Sequence, residues 1–230
     1  MYDVNLVLQN LDNKLGLFLA FAAIGGICNW WLLIEGIRLG FKDRTHAISL
    51  ICLLFWAAHD VSFVMLWQTY FIEIGHWVWI LFWFNILGSV ITELILFYQV
   101  VKFSGNEMFP GLSLPQRSAA LLLLFALAMV VFWYLKLAMG GDTMSLYMMP
   151  LTIFLCPMFC IPIALKRQSQ RGQSCRQSVI YMLLVVGIWP AWYLLDEAFR
   201  HPVFIALGVV TFLWSAANIA VLRKFPAYQV

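Results

Sequence analysis

Two carboxyl side chains interrupt long apolar runs of this chain. Asp60 lies near the middle of the run 47–67, directly after His59, and Glu93 lies within the run 76–101. Placing a carboxyl at such depth costs roughly 2.5–3.5 kcal/mol on insertion scales, so these residues usually face a protein interior and carry function. Asn85, Ser89 and Glu93 recur every four residues and share one helix face. Asn and Ser suit an interhelical hydrogen-bond ladder at about 0.6 kcal/mol per contact. Glu93 does not, because an ionised carboxylate there would be expensive; it calls for a proton or a partner. Aromatic residues form 17% of the chain, with 11 Trp. Trp56, Trp67, Trp83, Trp192 and Trp214 lie on or near the polar faces, and each aromatic face stabilises a cation by roughly 0.5–2 kcal/mol. A dry aromatic cavity with one or two buried acids can guide a carbocation while excluding water. Two further polar faces qualify as cavity walls. One carries Trp189, Trp192, Tyr193 and Asp196, with Arg200 and His201 as partners for the acid; the other carries Thr211, Ser215 and Asn218.

The elements that position these residues follow from composition. The chain is 63% hydrophobic and 11% charged, with mean hydropathy +0.88, far above an ordinary soluble domain. Apolar stretches cover 16–40, 46–69, 76–101, 118–138, 144–165, 177–199 and 202–222. Backbone groups in lipid must be bonded within their own segment, so the stretches predict helices. The expected fold is an all-α, seven-transmembrane-helix bundle forming one domain over residues 1–230. The first stretch runs too long, and lacks the basic leader, for a cleavable signal peptide.

Basic residues divide 11 to 3 between the two sides: Arg38, Lys42, Arg44, Lys102, Arg117, Lys166, Arg167, Arg171, Arg176, Arg223 and Lys224 against Lys14, Lys136 and Arg200. That bias predicts an outside N-terminus and a cytoplasmic C-terminus in a multi-pass protein of a bacterial inner membrane or the endoplasmic reticulum. The same anchoring accounts for the net charge of +3, which therefore implies no nucleic-acid partner. Loops near 103–117 and 166–176 are too short for a soluble catalytic domain, so any chemistry belongs among the helices. The five cysteines show no metal-ligand spacing, and Cys156 and Cys160 read as small packing residues. Glu35 reads as the structural partner of Arg38. Asp60 falls a few residues outward of mid-membrane and Glu93 a few inward. The two are thus expected about 10 Å apart along the normal, at opposite ends of a long substrate.

Short motifs carry a resemblance. Gly26-Ile27-Cys28-Asn29-Trp30-Trp31, then Lys42-Asp43-Arg44-Thr45-His46, then Trp56-Ala57-Ala58-His59-Asp60 resemble the small seven-helix membrane terpene cyclases of fungal meroterpenoid and indole-diterpene pathways and their bacterial relatives. That family has an Asn-Tyr/Trp pair on its first helix, a Lys-Asp-x-(Thr/Ser) turn, and a Trp-Glu or Trp-Asp pair on its second. The likeness extends to Glu93 and the Lys102 to Asn106-Glu107 turn, and beyond that only to length and topology. Two departures stand out: His59 replaces the Trp before the second-helix acid, and the acid expected in the last helix gives way to Thr211, Ser215 and Asn218.

The resemblance implies a protonation-initiated cyclase that acts on a hydrophobic polyprenyl molecule without metal or other cofactor. Asp60 would be the proton donor, since a neutral carboxylic acid in a dry pocket can protonate an alkene or epoxide. Glu93 would orient it or act as terminal base, and His59, about 100° away around the helix, would shape its surroundings or help return the proton. Trp56, Trp67, Trp83, Trp192 and Trp214, with Asn85, Ser89, Asp196 and Asn218, would line the substrate site. The sequence shows no DxDD, DDxxD or NDxxD run for magnesium-bound diphosphate. A small-solute or proton-coupled transporter of seven-helix type is the alternative, with Asn85 and Asn218 as a facing pair. Its Pro-Gln signature is found only at Pro115-Gln116, before the fourth stretch. A retinal photoreceptor would need a lysine within 202–222, which has none.

Overall fold

The computed structural model describes residues 2–228. Helix α1 (Val4–Asn13) is followed after one residue by α2 (Leu15–Asp43), then α3 (Leu50–Met65), a π-helical turn (Thr69–Ile74), α4 (Trp77–Phe103) and the short α5 (Gly105–Met108). Next come α6 (Leu114–Ala138), α7 (Met148–Met158), α8 (Cys160–Arg167), α9 (Cys175–Tyr193), a 3-10 turn (Glu197–Arg200) and α10 (Pro202–Leu222). The fold is all-α among the described residues. Helices α2, α4, α6, the α7–α8 pair and α10 are long and apolar enough to cross a membrane. Helix α3 is apolar but only 16 residues long. Most of α3 and α9 is buried, whereas the outer faces of α4, α6 and α10 expose Leu, Ile, Val and Phe.

Local sequence sets the helix ends. Ser49 and Ser174 cap α3 and α9 through their hydroxyls, and Ser113 with Gln116 forms a capping box on α6. Pro115 and Pro202 sit in first turns, where a missing N–H costs nothing. The stretch 144–165 was expected as one helix. It breaks at Phe159, between Pro157 and Pro162, each of which lacks the amide donor of a helical turn, and the Gln173 side chain donates to the Cys160 carbonyl at 2.9 Å beside the break. The amphipathic α1 lies outside the expected stretches. It buries Val7 and Leu11 and donates from Asn10 to the Leu195 carbonyl at 2.9 Å. Helices α2 and α9 meet backbone to backbone at Gly25 and Gly187, where a methyl on either would clash.

Polar clusters close both ends of the bundle. At the α1 end the Tyr2 hydroxyl donates to Asp142 at 2.7 Å, and Asp142 accepts from the first amides leading into α7. Buried Lys136 donates to Ser145 at 3.0 Å. At the opposite end Arg167 forms a two-pronged pair with Glu107 (3.2 and 3.1 Å) and donates to Thr45 (2.9 Å) and the His46 carbonyl (3.2 Å). Burial, reinforced by the Arg167 cation, holds the His46 imidazole well below its ordinary 6.5. Burial opposes ionisation of Glu107, but the Arg167 hydrogen bonds outweigh it and hold that carboxyl below its usual range. Glu35 pairs with Arg38 at 2.8 Å, as the sequence suggested.

Both shifts make this cap acid-labile. Folded His46 resists protonation while the unfolded imidazole accepts it, so stability falls as pH drops below about 6.5. Glu107 adds a second loss when pH falls through its lowered folded value. Thermal unfolding in detergent at pH 7.5 and 5 should show a drop that shrinks in His46→Asn. Arg167→Met, which strands Glu107, should cost about 3 kcal/mol at pH 7.5, at the low end for a buried pair because Glu107 is 23% exposed. An unchanged melting curve in Arg167→Met would show the cap to be dispensable.

Candidate active site

Helices α2, α3, α4, α7 and α9 surround a cavity of about 1000 Å³. Asp60 and His59 reach it from α3, and the Asn85, Ser89 and Glu93 stripe reaches it from α4. Aromatic walls come from Phe18, Trp30, Trp56, Trp79, Phe82 and Trp192. The indole N–H groups of Trp56 and Trp192 donate to the Thr152 and Leu146 carbonyls at 3.0 and 2.8 Å, which fixes both rings and turns their faces into walls.

The acids sit together, not at opposite ends. His59 Nδ1 and Asp60 Oδ1 are 2.6 Å apart although the residues are sequence neighbours on one helix. The carboxyls of Asp60 and Glu93 lie near enough to interact directly, yet both Glu93 oxygens lack a hydrogen-bond partner of normal geometry among the described residues. The expected 10 Å separation fails for a specific reason. Helical backbone continues past Met65 through the π turn, so the chain reverses only at Gly75 and His76. Asp60 and Glu93 then stand about 22 and 25 Å of helix rise from that reversal, at nearly one depth. Glu93 is 2% exposed and Asp60 8%. His59 Nε2 is also buried without a partner and faces Phe63 and Phe132.

The stripe is tethered to α2. Trp30 Nε1–H donates to Asn85 Oδ1 at 2.7 Å, and Asn29 donates to Ser89 Oγ at 3.3 Å. Sequence reasoning assigned Asn29 and Trp30 no role beyond a motif, and it missed Trp79, which lines the cavity with its indole N–H unpartnered. A single aromatic in the run 77–84 carries no signal that separates it from its neighbours.

Several expected site residues lie elsewhere. Trp67 is 47% exposed on the bundle surface. Trp83 points at α3, donating to the Val64 carbonyl at 3.1 Å. Asp196 caps the 3-10 turn, accepting from the Ala198 amide at 2.8 Å. Asn218 donates to Ser178 at 2.8 Å, so the α10 stripe binds α9. Trp214 is on that same α10, which packs on α9 and α7 and is kept from the cavity by them. Asn85 and Asn218 therefore do not face each other. A larger groove of about 1260 Å³ between α6, α7 and α10 holds none of the expected catalytic residues.

Chemically, the cavity offers a proton-carrying group of two carboxyls and an imidazole within aromatic walls. The contact between His59 and Asp60, with Glu93 close by, gives a proton more than one site to occupy within the cavity. Comparison with protein-family models, curated proteins and solved structures gives no match to this chain.

Glu93 is buried with no hydrogen bond of normal geometry among the described residues, an arrangement expected to cost stability. Glu93→Met should raise stability by about 1–3 kcal/mol, read as thermal unfolding in detergent. Destabilisation instead would mean that Glu93 holds the helices together and is not a group kept for chemistry.

Proposed function

We propose that the chain is an integral membrane enzyme that cyclises a polyprenyl molecule by protonating one of its alkenes or an epoxide. In this reading seven crossings are made by α2, α3 with its π turn, α4, α6, α7–α8, α9 and α10. The α1 end faces outward and the Arg167 end faces the cytoplasm, where the basic residues belong. The observation that carries the reading is the convergence of Asp60, His59 and Glu93 in one aromatic-walled cavity of about 1000 Å³.

The Asp60 O–H proton moves to a terminal alkene carbon, whose π pair forms the new C–H bond and leaves a tertiary cation. With an epoxide, the proton goes to oxygen as a C–O bond opens. The next alkene attacks the cation, closing a ring and passing the charge along the chain. Trp56, Trp192 and the other ring faces stabilise that charge by roughly 0.5–2 kcal/mol each. Loss of a proton from carbon restores an alkene, and Glu93 or His59 accepts it. The 2.6 Å His59–Asp60 contact supplies the route by which the donor regains its proton. The alkene reaction is then a net isomerisation and consumes no co-reactant.

The facing-Asn arrangement of the transporter alternative lacks support, because Asn218 is engaged with Ser178. Membranes containing Asp60→Asn should form no cyclised product from geranylgeraniol or its terminal epoxide, at unchanged expression. His59→Gln, which keeps a polar side chain but cannot shuttle the proton, should turn over about 10²–10⁴-fold more slowly. Product formation by Asp60→Asn at the wild-type rate would eliminate the mechanism. Uptake of a solute into vesicles that is indifferent to polyprenyl compounds would favour a carrier.

A further inference from the structure

The cavity has a side opening between α2 and α4. These helices are held together toward the Arg167 end, where Gln99 donates to the Ile37 carbonyl at 2.8 Å and Leu96 packs near Gly36. Toward the α1 end they part. Ile27 on α2 and Leu81 and Phe84 on α4 line the cavity and are also 66%, 59% and 56% exposed on the outer surface. Gly26, another lining residue, faces open space: a methyl added there would meet nothing within 4 Å. Beyond this mouth the Trp30 indole crosses to α4. It rests over Gly88, where a Cβ would fall 2.6 Å from the ring, and is fixed by the 2.7 Å bond to Asn85. Asn29, Ser89 and the Glu93 carboxyl lie behind it.

We infer that the α2–α4 gap is a lateral portal through which a polyprenyl chain enters from the bilayer, with the Trp30–Asn85 pair as its latch. The inference rests on the cyclase reading for its occupant. Its geometry explains features that reading leaves unused: a glycine at the mouth, an apolar lining continuous with the exposed outer surface, and two exchangeable hydrogen bonds across the path. Rotation of the indole off Gly88 breaks its bond to Asn85 and leaves Asn29–Ser89 as the remaining side-chain link before the acids. Residues at the mouth thereby select for flexible, linear, apolar chains over bulky or charged molecules.

The test uses the full chain in proteoliposomes with benzophenone-tagged geranylgeraniol, and photoadducts are mapped by mass spectrometry. Adducts should fall on Ile27, Leu81 and Phe84 and be competed by untagged geranylgeraniol. Gly26→Leu, which fills the mouth without a clash, should lower both labelling and kcat/KM about tenfold, while Asp60→Asn keeps the labelling. Trp30→Phe keeps an aromatic ring but loses the bond to Asn85, and should label faster than wild type. Labelling that Gly26→Leu leaves unchanged, or adducts confined to the α6–α10 groove, overturn the portal. An unchanged rate in Trp30→Phe overturns the latch. Labelling at the mouth without any turnover keeps the portal and removes the cyclase, whereas turnover that Gly26→Leu does not impair removes the portal and keeps the cyclase.

Discussion

A carboxyl group kept from water is the constraint on which the rest of this molecule depends. Burying one acid is costly, and burying two side by side is costlier, because each disfavours charge on the other. The bundle meets this by placing His59 at 2.6 Å from Asp60 and by surrounding both acids with apolar and aromatic walls. Glu93 receives no such compensation among the described residues. A buried polar group without a partner is a stability cost of a kind usually retained for function. In the proposed mechanism, its position within reach of Asp60 gives that cost a use.

Rigidity is concentrated away from the acids. At one end Arg167 ties the α2–α3 connection, the α4–α5 region and α8 into one network. At the other end Tyr2 and Asp142 bind the N-terminal segment to the start of α7. Glycine-to-glycine contact locks α2 against α9. Between these fixed regions α2 and α4 are joined by two side-chain hydrogen bonds, Trp30–Asn85 and Asn29–Ser89, and the cavity occupies the space they leave. Stiff ends with a loosely joined middle suit the proposed cyclase, whose site would hold reactive groups in place and still admit a long apolar chain.

The heavily buried helices α3 and α9 depart from the simplest membrane pattern. Helix α3 is short for a crossing, and α9 contains Pro190, Gln177 and Ser178. Polar and helix-breaking residues are tolerated there because neighbouring helices, not lipid, satisfy them: Gln177 donates to the Ala47 carbonyl and Ser178 accepts from Asn218. The exposed face of α10 is uniformly apolar, and its Thr211, Ser215 and Asn218 are buried against the bundle.

Much was legible in the residues alone. Long apolar runs predicted the helical class and the approximate extents of α2, α4 and α10, because backbone groups in lipid must be bonded within the protein. The four-residue spacing of Asn85, Ser89 and Glu93 placed them on one face, and the cost of burying Asp60 marked it for a protein interior. Amphipathic α1 went unread because ten half-polar residues give no strong hydropathy signal, and the Phe159 break because two prolines in a long apolar run do not say whether a helix bends or ends. Which faces meet could not be read at all. Thr211, Ser215 and Asn218 look as promising as the α4 stripe, yet helix order puts α9 and α7 between them and the cavity. The depth match of Asp60 and Glu93 depends on a π turn that moves the chain reversal, and the gap at Gly26 depends on how two helices diverge. Periodicity along one helix tells what must be buried; only packing among several decides against what.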